Sequence, residues 1–183
     1  MKNIFLSVIL VIITTAAHAQ YEASLSASGG YTEDGWGLAL GYNQIINQAK
    51  TLRMNGKIHY NNAIDTSSGF DIPYTGVNFG LGMDYKLIKT KSRRDRLALF
   101  TGGGLTIGYE ELNANNTVLD DGAVIDTESK MLFGAFVGAE LNYILSNYIY
   151  AILVIKEFYE PNSTLGDFRP YFGAGVRVRL FEN

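Results

Sequence analysis

The sequence predicts an all-β fold, an eight-stranded antiparallel up-and-down transmembrane β-barrel of the outer-membrane type, preceded by a cleaved signal peptide. Three observations support this fold class: an N-terminal export signal, alternation of apolar and polar residues along nearly all of the remaining chain, and a composition typical of strands. The 183 residues include 20 Gly, 12 Tyr and 10 Phe, but only 3 Pro and no Cys. An exported domain of this composition must therefore be stable without disulfides.

The N-terminus has the three parts of a secretory signal peptide. Lys2 gives a short positive start, residues 4–13 form an apolar run, and Ala17 and Ala19 bracket His18 in a small-residue cleavage site. The run is shorter than the roughly 20 residues that a membrane-spanning helix needs. No cysteine follows the cleavage site, which excludes a lipoprotein. We expect residues 1–19 to be the signal peptide and residues 20–183 to be one barrel domain.

The strands follow one another along the mature chain with a period of two. In chain order, the apolar positions are Ala23, Leu25 and Ala27; Trp36, Leu38, Leu40 and Tyr42; Leu52, Met54, Ile58 and Tyr60; Val77, Phe79, Leu81, Met83 and Tyr85; Leu97, Leu99, Leu105, Ile107 and Tyr109; Met131, Phe133, Ala135, Val137, Ala139, Leu141 and Tyr143; and Phe172, Ala174, Val176, Val178 and Leu180. Segment 147–159 is different, because both of its faces are apolar as far as Lys156 and Glu157. About eight strands of roughly 9 to 14 residues match a small tilted barrel.

The polar face of these strands distinguishes a membrane barrel from a soluble one. Glycine, Ser, Asn and charged residues alternate with the bulky positions. On the outside of a soluble barrel, so much glycine would weaken the strands without benefit. Inside a narrow membrane barrel, small residues and charges share the interior while the bulky face meets lipid. We therefore predict location in the bacterial outer membrane, with outer-membrane lipid as a partner.

The strand positions predict where the connections lie. Extracellular loops are expected at 31–34, 61–69, 110–128 and 159–167, and periplasmic turns at 45–51, 88–95 and 144–147. The longest loop contains six acids, but their spacing lacks the alternating oxygen ligands of an EF-hand loop. We expect these acids to be solvated. They are Glu110, Glu111, Asp120, Asp121, Asp126 and Glu128.

One predicted turn is strongly basic and is a candidate docking surface. It would suit an acidic periplasmic partner or lipid phosphates, whereas the alternative is an ordinary solvated hairpin. Its six basic residues are Lys86, Lys89, Lys91, Arg93, Arg94 and Arg96.

Several charged residues stand at interior positions of the alternation. An eight-stranded barrel is only wide enough for side chains to fill it, which favours an ion-pair network over an open pore. The predicted network consists of Arg53, Lys57, Asp84, Glu140, Arg177 and Arg179.

The sequence gives little indication of catalysis. His59 is the only histidine that remains after cleavage, and no nucleophile-plus-base motif accompanies it. We expect no enzymatic activity, no cofactor and no metal. The formal net charge of −3 is too small to indicate direct nucleic-acid binding.

The second half of the chain resembles a known family. Residues 108–150, with Gly-Tyr-Glu at a strand end, an Asp-Gly loop and a glycine-rich strand, are similar to the TraO family of Bacteroidetes conjugative transposons. Residues 168–181 and 71–87 resemble that family's final and fourth strands. Around Lys156–Pro161 the chain departs from the family pattern, which is richer in arginine.

The resemblance implies a non-enzymatic outer-membrane component of a conjugative DNA-transfer apparatus, acting with other conjugation proteins. A stand-alone OmpX-like or PorT-like barrel for adhesion or envelope integrity is the alternative. A lipid-modifying barrel enzyme is a third class, and it would depend on His59.

Overall fold

The structure is a computed structural model that describes residues 22–33, 35–66, 71–88, 96–119, 122, 124 and 129–182. The predicted signal peptide lies outside the described residues. Within them, no helix has the length and apolar character needed to cross a bilayer.

Eight antiparallel strands form one closed barrel in sequence order, so the predicted fold class is confirmed. β1 closes the barrel by pairing with β8, with a register shift between Ala23 and Ser24. Closure leaves no strand edge, and the backbone hydrogen bonds replace the missing disulfides as the source of stability. The strands are β1 Glu22–Thr32, β2 Gly35–Ile45, β3 Leu52–Asp65, β4 Ile72–Lys86, β5 Leu97–Leu112, β6 Lys130–Ile144, β7 Ile149–Tyr159 and β8 Phe168–Glu182.

The connections differ in length at the two ends of the barrel. At the end of the barrel where β1 begins and β8 ends, the links are 46–51, 87–96 and 145–148. At the other end, the links are 33–34, 66–71, 113–129 and 160–167. Because outer-membrane barrels have short periplasmic turns and longer external loops, we call these the inner and the outer end. Strands β3 and β5 extend further than predicted, since residues 61–65 and 110–112 are strand and not loop.

The outer surface of the barrel is apolar, as the alternation predicts. Leu40, Leu105 and Val137 are 63%, 73% and 63% exposed in the middle of their strands. Such exposure is costly in water but favourable against lipid tails. Exposed tyrosines lie near the inner ends of strands at Tyr85 and Tyr143, at the level of the lipid headgroups.

The interior contains more apolar volume than the sequence suggested. β7 turns Tyr150, Ile152, Val154 and Phe158 inward, where they pack in a buried cluster with Ala39, Phe136 and Tyr171. The alternation left the facing of β7 open because both of its faces are apolar, and the structure shows that these four residues face the interior. Glycines opposite make room for the cluster, because a Cβ on Gly82 would lie 2.7 Å from the Phe136 ring.

Candidate functional site in the barrel interior

A buried ion network centred on Glu140 occupies the inner third of the barrel. The Glu140 carboxylate accepts hydrogen bonds from Arg53 at 2.7 Å and from Lys57 at 3.0 Å, and it pairs with Arg177 across the barrel. Asp84 lies beside Arg53 in register and accepts a hydrogen bond from its Nε at 2.9 Å. The network thus connects β3, β4, β6 and β8, and three cations share two carboxylates.

Five of the six residues predicted for the interior network meet there, and Arg179 does not. Arg179 lies nearer the inner end, where it pairs with Glu22 at 3.1 Å and contacts the Tyr150 hydroxyl. Both members of this pair are more exposed than the Glu140 network, with side chains 18% and 16% accessible. Arg177 and Arg179 are successive inward positions of β8, because every second residue of a strand points to the same face. Arg179 therefore lies closer to the inner end than Arg177 and meets different residues.

A cavity of about 190 Å³ lies between the ion network and the inner end of the barrel. All eight strands contribute to its lining, which means that the cavity lies within the ring of strands. One wall is Phe100, and the guanidinium of Arg53 stacks on this ring at 4.1 Å. The charged lining residues are Glu22, Lys50, Arg53, Lys86, Arg177 and Arg179.

The structure places only two residues of the basic turn. Lys86 ends β4, and its ammonium group lies 6.0 Å from the Phe100 ring on the rim of the inner cavity. The Arg96 carbonyl accepts a hydrogen bond from the Ile144 amide at 2.8 Å, which joins this residue to β6 at the same end. Lys89, Lys91, Arg93 and Arg94 lie outside the described residues.

His59 lies in a layer of aromatic side chains near the middle of the barrel. Its Nε2 is 3.2 Å from the Lys156 ammonium, and its ring makes edge contacts with Phe158 and Tyr171. His59, Phe136, Phe158 and Tyr171 are each at most 5% exposed. A water-filled passage would expose the side chains that line it, so the described side chains block such a passage at this level.

At the outer end, a second buried carboxylate holds a loop inside the mouth of the barrel. Glu110 is fully buried, pairs with Arg169, and accepts hydrogen bonds from the Ser163 hydroxyl at 2.9 Å and the Thr164 hydroxyl at 2.7 Å. These bonds hold loop 160–167 inside the mouth, where Leu165 packs on buried apolar residues. The expectation that Glu110 is solvated is wrong.

Glu160 begins the same loop and is also fully buried. Its carboxylate lies 3.6 Å from the Arg169 guanidinium, too far for a hydrogen bond. Burial raises the pKa of Glu160 to about 7, against an ordinary value of 4.5. Because the folded chain favours the protonated carboxyl, this group stabilises the fold fully at acid pH and loses that contribution as the pH rises through 7.

The inward positions of Glu110 and Arg169 were not predicted. Glu110 was assigned to a loop, and Arg169 precedes the first residue of the alternation in the final strand. The signal that identifies them is the same period of two. Glu110 continues the inward positions of Thr106 and Gly108 in β5, and Arg169 continues those of Tyr171 and Gly173 in β8. No cluster of three or more metal-ligating side chains occurs among the described residues.

The sequence matches the family model described as "Conjugative transposon protein TraO" over residues 16–180. This chain belongs to the TraO family. The match covers nearly the whole barrel, including the first half, where the sequence resemblance is only architectural. No curated protein matches the chain.

Solved outer-membrane barrels resemble this TraO-family chain in fold. Neisserial surface protein A is 16% identical with a TM-score of 0.58, over 87% of this chain and 96% of that one. The N-terminal β-barrel domain of Pseudomonas aeruginosa OprF is 15% identical with a TM-score of 0.60, over 88% and 98%. A major outer membrane protein from Thermus thermophilus is 11% identical with a TM-score of 0.60, over 87% and 98%. Together with the apolar belt, these likenesses identify an outer-membrane β-barrel.

Proposed function

We propose that the protein is a non-enzymatic outer-membrane component of a conjugative transposon's DNA-transfer apparatus, in which it anchors other transfer proteins at the inner end. The observation that carries this proposal is the TraO-family match over residues 16–180. A conjugation apparatus must be held at the outer membrane, and a closed barrel with an apolar belt is a stable anchor there.

The filled interior supports a structural role and not transport or catalysis. Buried side chains such as Phe136 and His59 occupy the middle of the barrel, and loop 160–167 occupies the outer mouth. A side chain that reacts with a substrate must be reached by it, which these buried layers oppose. Partner binding therefore falls to the two ends.

The basic turn is the surface that we propose for partner docking. Its predicted residues Lys86 and Arg96 lie at the inner end, towards the periplasm. Six basic residues within an eleven-residue stretch would attract an acidic protein surface and steer its association.

Replacement of the six basic residues by neutral ones tests this docking. We expect mating frequency to fall while the barrel still inserts, because the described residues Lys86 and Arg96 stand at the ends of β4 and β5 and not in the middle of the lipid-facing belt. The changed positions are Lys86, Lys89, Lys91, Arg93, Arg94 and Arg96. Heat-modifiable migration on a gel and outer-membrane fractionation check insertion. Unchanged mating frequency would exclude the turn as the docking surface.

The matched control is Lys130→Gln at the outer end of β6, which removes a positive charge from the opposite end. We expect this variant to mate normally. Deletion of the whole gene separates the two function classes. Loss of transfer supports a conjugation role, whereas normal transfer with a weakened envelope supports the stand-alone barrel.

A further inference from the structure

A glutamate faces the lipid near the outer end of β7. The side chains on either side of Glu157 in the chain, Lys156 and Phe158, are buried inside the barrel. Ile155 and Tyr159, one position further away in each direction, are 54% and 43% exposed. Because successive side chains of a strand point to opposite faces, Glu157 belongs to the lipid-facing surface. The sequence marks the same place, since the apolar run of this segment stops at Lys156 and Glu157.

The carboxylate of Glu157 has no counter-charge in the described part of the chain. Its Oε1 is buried without a hydrogen-bond partner among the described residues, and none of their ion pairs includes Glu157. In the sequence, the remaining residues of the outer loops include no Lys or Arg. An ionised carboxylate that leaves water is costly unless a cation or hydrogen-bond donors compensate it. The compensating group must therefore come from another molecule.

Aromatic and apolar side chains surround this carboxylate. In register, Glu157 lies opposite Val137 of β6 and Pro170 of β8. Towards the outer end, Tyr159 pairs with Phe168, and their ring centroids are 5.0 Å apart. Tyrosines at a membrane interface lie at the level of the lipid headgroups. Glu157 is two residues, roughly 7 Å along the strand, from Tyr159 and is therefore within reach of those headgroups.

The position of Glu157 favours one source of positive charge. A calcium ion takes about six to eight oxygen ligands, and a single carboxylate supplies at most two of them. A Lys or Arg of a partner protein would itself have to leave water to enter the lipid belt, which is unfavourable. The ammonium group of a lipid headgroup already lies at this level and carries the complementary charge. Aromatic rings such as that of Phe168 also attract an ammonium group.

We propose that Glu157 and the aromatic side chains beside it form a lipid-binding site on the outside of the barrel. The site binds the primary ammonium of an ethanolamine headgroup, whose N–H groups donate hydrogen bonds to the Glu157 carboxylate. The acyl chains of the same lipid contact the apolar belt below. The barrel thus selects its lipid neighbour on the β7–β8 side. This inference does not depend on a role in DNA transfer.

The test measures lipid preference beside Glu157 with a tryptophan reporter. Phe168→Trp keeps an aromatic ring next to Tyr159, and Trp36→Phe removes the single native tryptophan. The barrel is reconstituted in mixtures of phosphatidylethanolamine and phosphatidylcholine, and one lipid at a time carries brominated chains that quench tryptophan fluorescence. Both lipids are zwitterionic, but only phosphatidylethanolamine has ammonium N–H donors. We expect it to bind about threefold more tightly at the reporter, as a partly exposed ion pair allows.

The native tryptophan provides a matched control site. Trp36 stands at the outer end of β2 and is 49% exposed. Its register partners are the uncharged residues Tyr31 and Asn62. In the wild-type barrel, we therefore expect the two lipids to bind equally well at Trp36.

Two variants in the reporter background assign the preference to one carboxylate. Glu157→Gln should abolish the preference for phosphatidylethanolamine, because the neutral amide does not attract an ammonium group. Glu111→Gln is the control at the outer end of β5, where the carboxylate already accepts a hydrogen bond from Asn115 at 2.7 Å. This control should keep the preference. Heat-modifiable migration on a gel shows that each variant is folded.

Equal binding of the two lipids at the introduced reporter would overturn the proposal, and so would a preference that survives Glu157→Gln. If the preference is absent while Glu157→Gln lowers mating frequency, a cation of a partner protein occupies the position and the lipid site is excluded. Loss of the preference in Glu157→Gln with unchanged mating supports the lipid site and leaves the proposed function standing.

Discussion

The inner and outer ends of the barrel have opposite charge and are closed in different ways. Among the described residues, the inner half carries seven Lys or Arg and four Asp or Glu, whereas the outer half carries three and eight. The inner end holds a cavity next to a cation-rich network. The outer end is filled by a loop bonded to one buried carboxylate. One scaffold therefore presents a basic end with a cavity and an acidic end that a loop fills.

The difference follows from how each buried carboxylate is used. Glu140 serves three cations from β3 and β8, so positive charge remains in excess around it. Glu110 serves one cation, Arg169, and uses its other hydrogen bonds to hold Ser163 and Thr164. The first arrangement concentrates positive charge around one carboxylate. The second arrangement holds loop 160–167 inside the outer mouth of the barrel.

The largest expected effect is on the inner network. Glu140→Gln should lower the free energy of unfolding by about 3–5 kcal/mol, because three buried cations lose their shared charge partner. Urea unfolding in phospholipid vesicles, followed by the fluorescence of Trp36, the single tryptophan, measures it. Glu111→Gln in an outer strand end is the control and should change the free energy by less than about 0.5 kcal/mol. A loss under about 1 kcal/mol would contradict the central role of Glu140.

The corresponding change at the outer end should cost less. Glu110→Gln should lower the free energy of unfolding by about 2–3 kcal/mol, because one cation is affected and the amide retains part of the hydroxyl bonding. Limited proteolysis of intact cells should also cut loop 160–167 faster than in the wild type. A cost equal to that of Glu140→Gln would remove the energetic distinction between the two ends.

A pH dependence is expected at the outer end. Glu160 has a pKa of about 7 in the folded chain and binds its proton less tightly when unfolded, so the wild type loses stability as the pH rises from 4.5 through 7. Glu160→Gln should therefore raise the free energy of unfolding at pH 8 by about 1–2 kcal/mol, with the neighbouring Arg169 offsetting part of the full effect. Unfolding curves at pH 4 and pH 8 measure it. A variant less stable than the wild type at pH 8 would show that the carboxylate is needed in its charged form.

The smallest effect is expected at the rim of the inner cavity. Glu22→Gln should lower the free energy of unfolding by less than about 1 kcal/mol, because its ion pair with Arg179 is partly exposed. Urea unfolding of the two proteins in phospholipid vesicles measures this difference. A loss well above about 1 kcal/mol would contradict the small contribution expected of a partly exposed ion pair.

Much of the fold could be predicted because a barrel strand repeats every two residues. The positions of Leu105 and Val137 on the lipid side, and the inward placement of Arg53 and Glu140, follow from this repeat alone. The repeat does not say which inward residues meet across the barrel. The meeting of Glu140 with Arg53 and Arg177 depends on strand number and stagger.

The sequence by itself determined the eight strands, their two faces and the excess of basic residues at one end, because each of these is set by local alternation and by chain order. Only the tertiary structure decided that β7 fills the centre with apolar side chains, that Glu110 fastens a loop into the outer mouth, and that a basic cavity remains at the inner end. Those outcomes depend on closure of the ring, which brings together residues from strands that are far apart in the chain and leaves space only where side chains fail to meet.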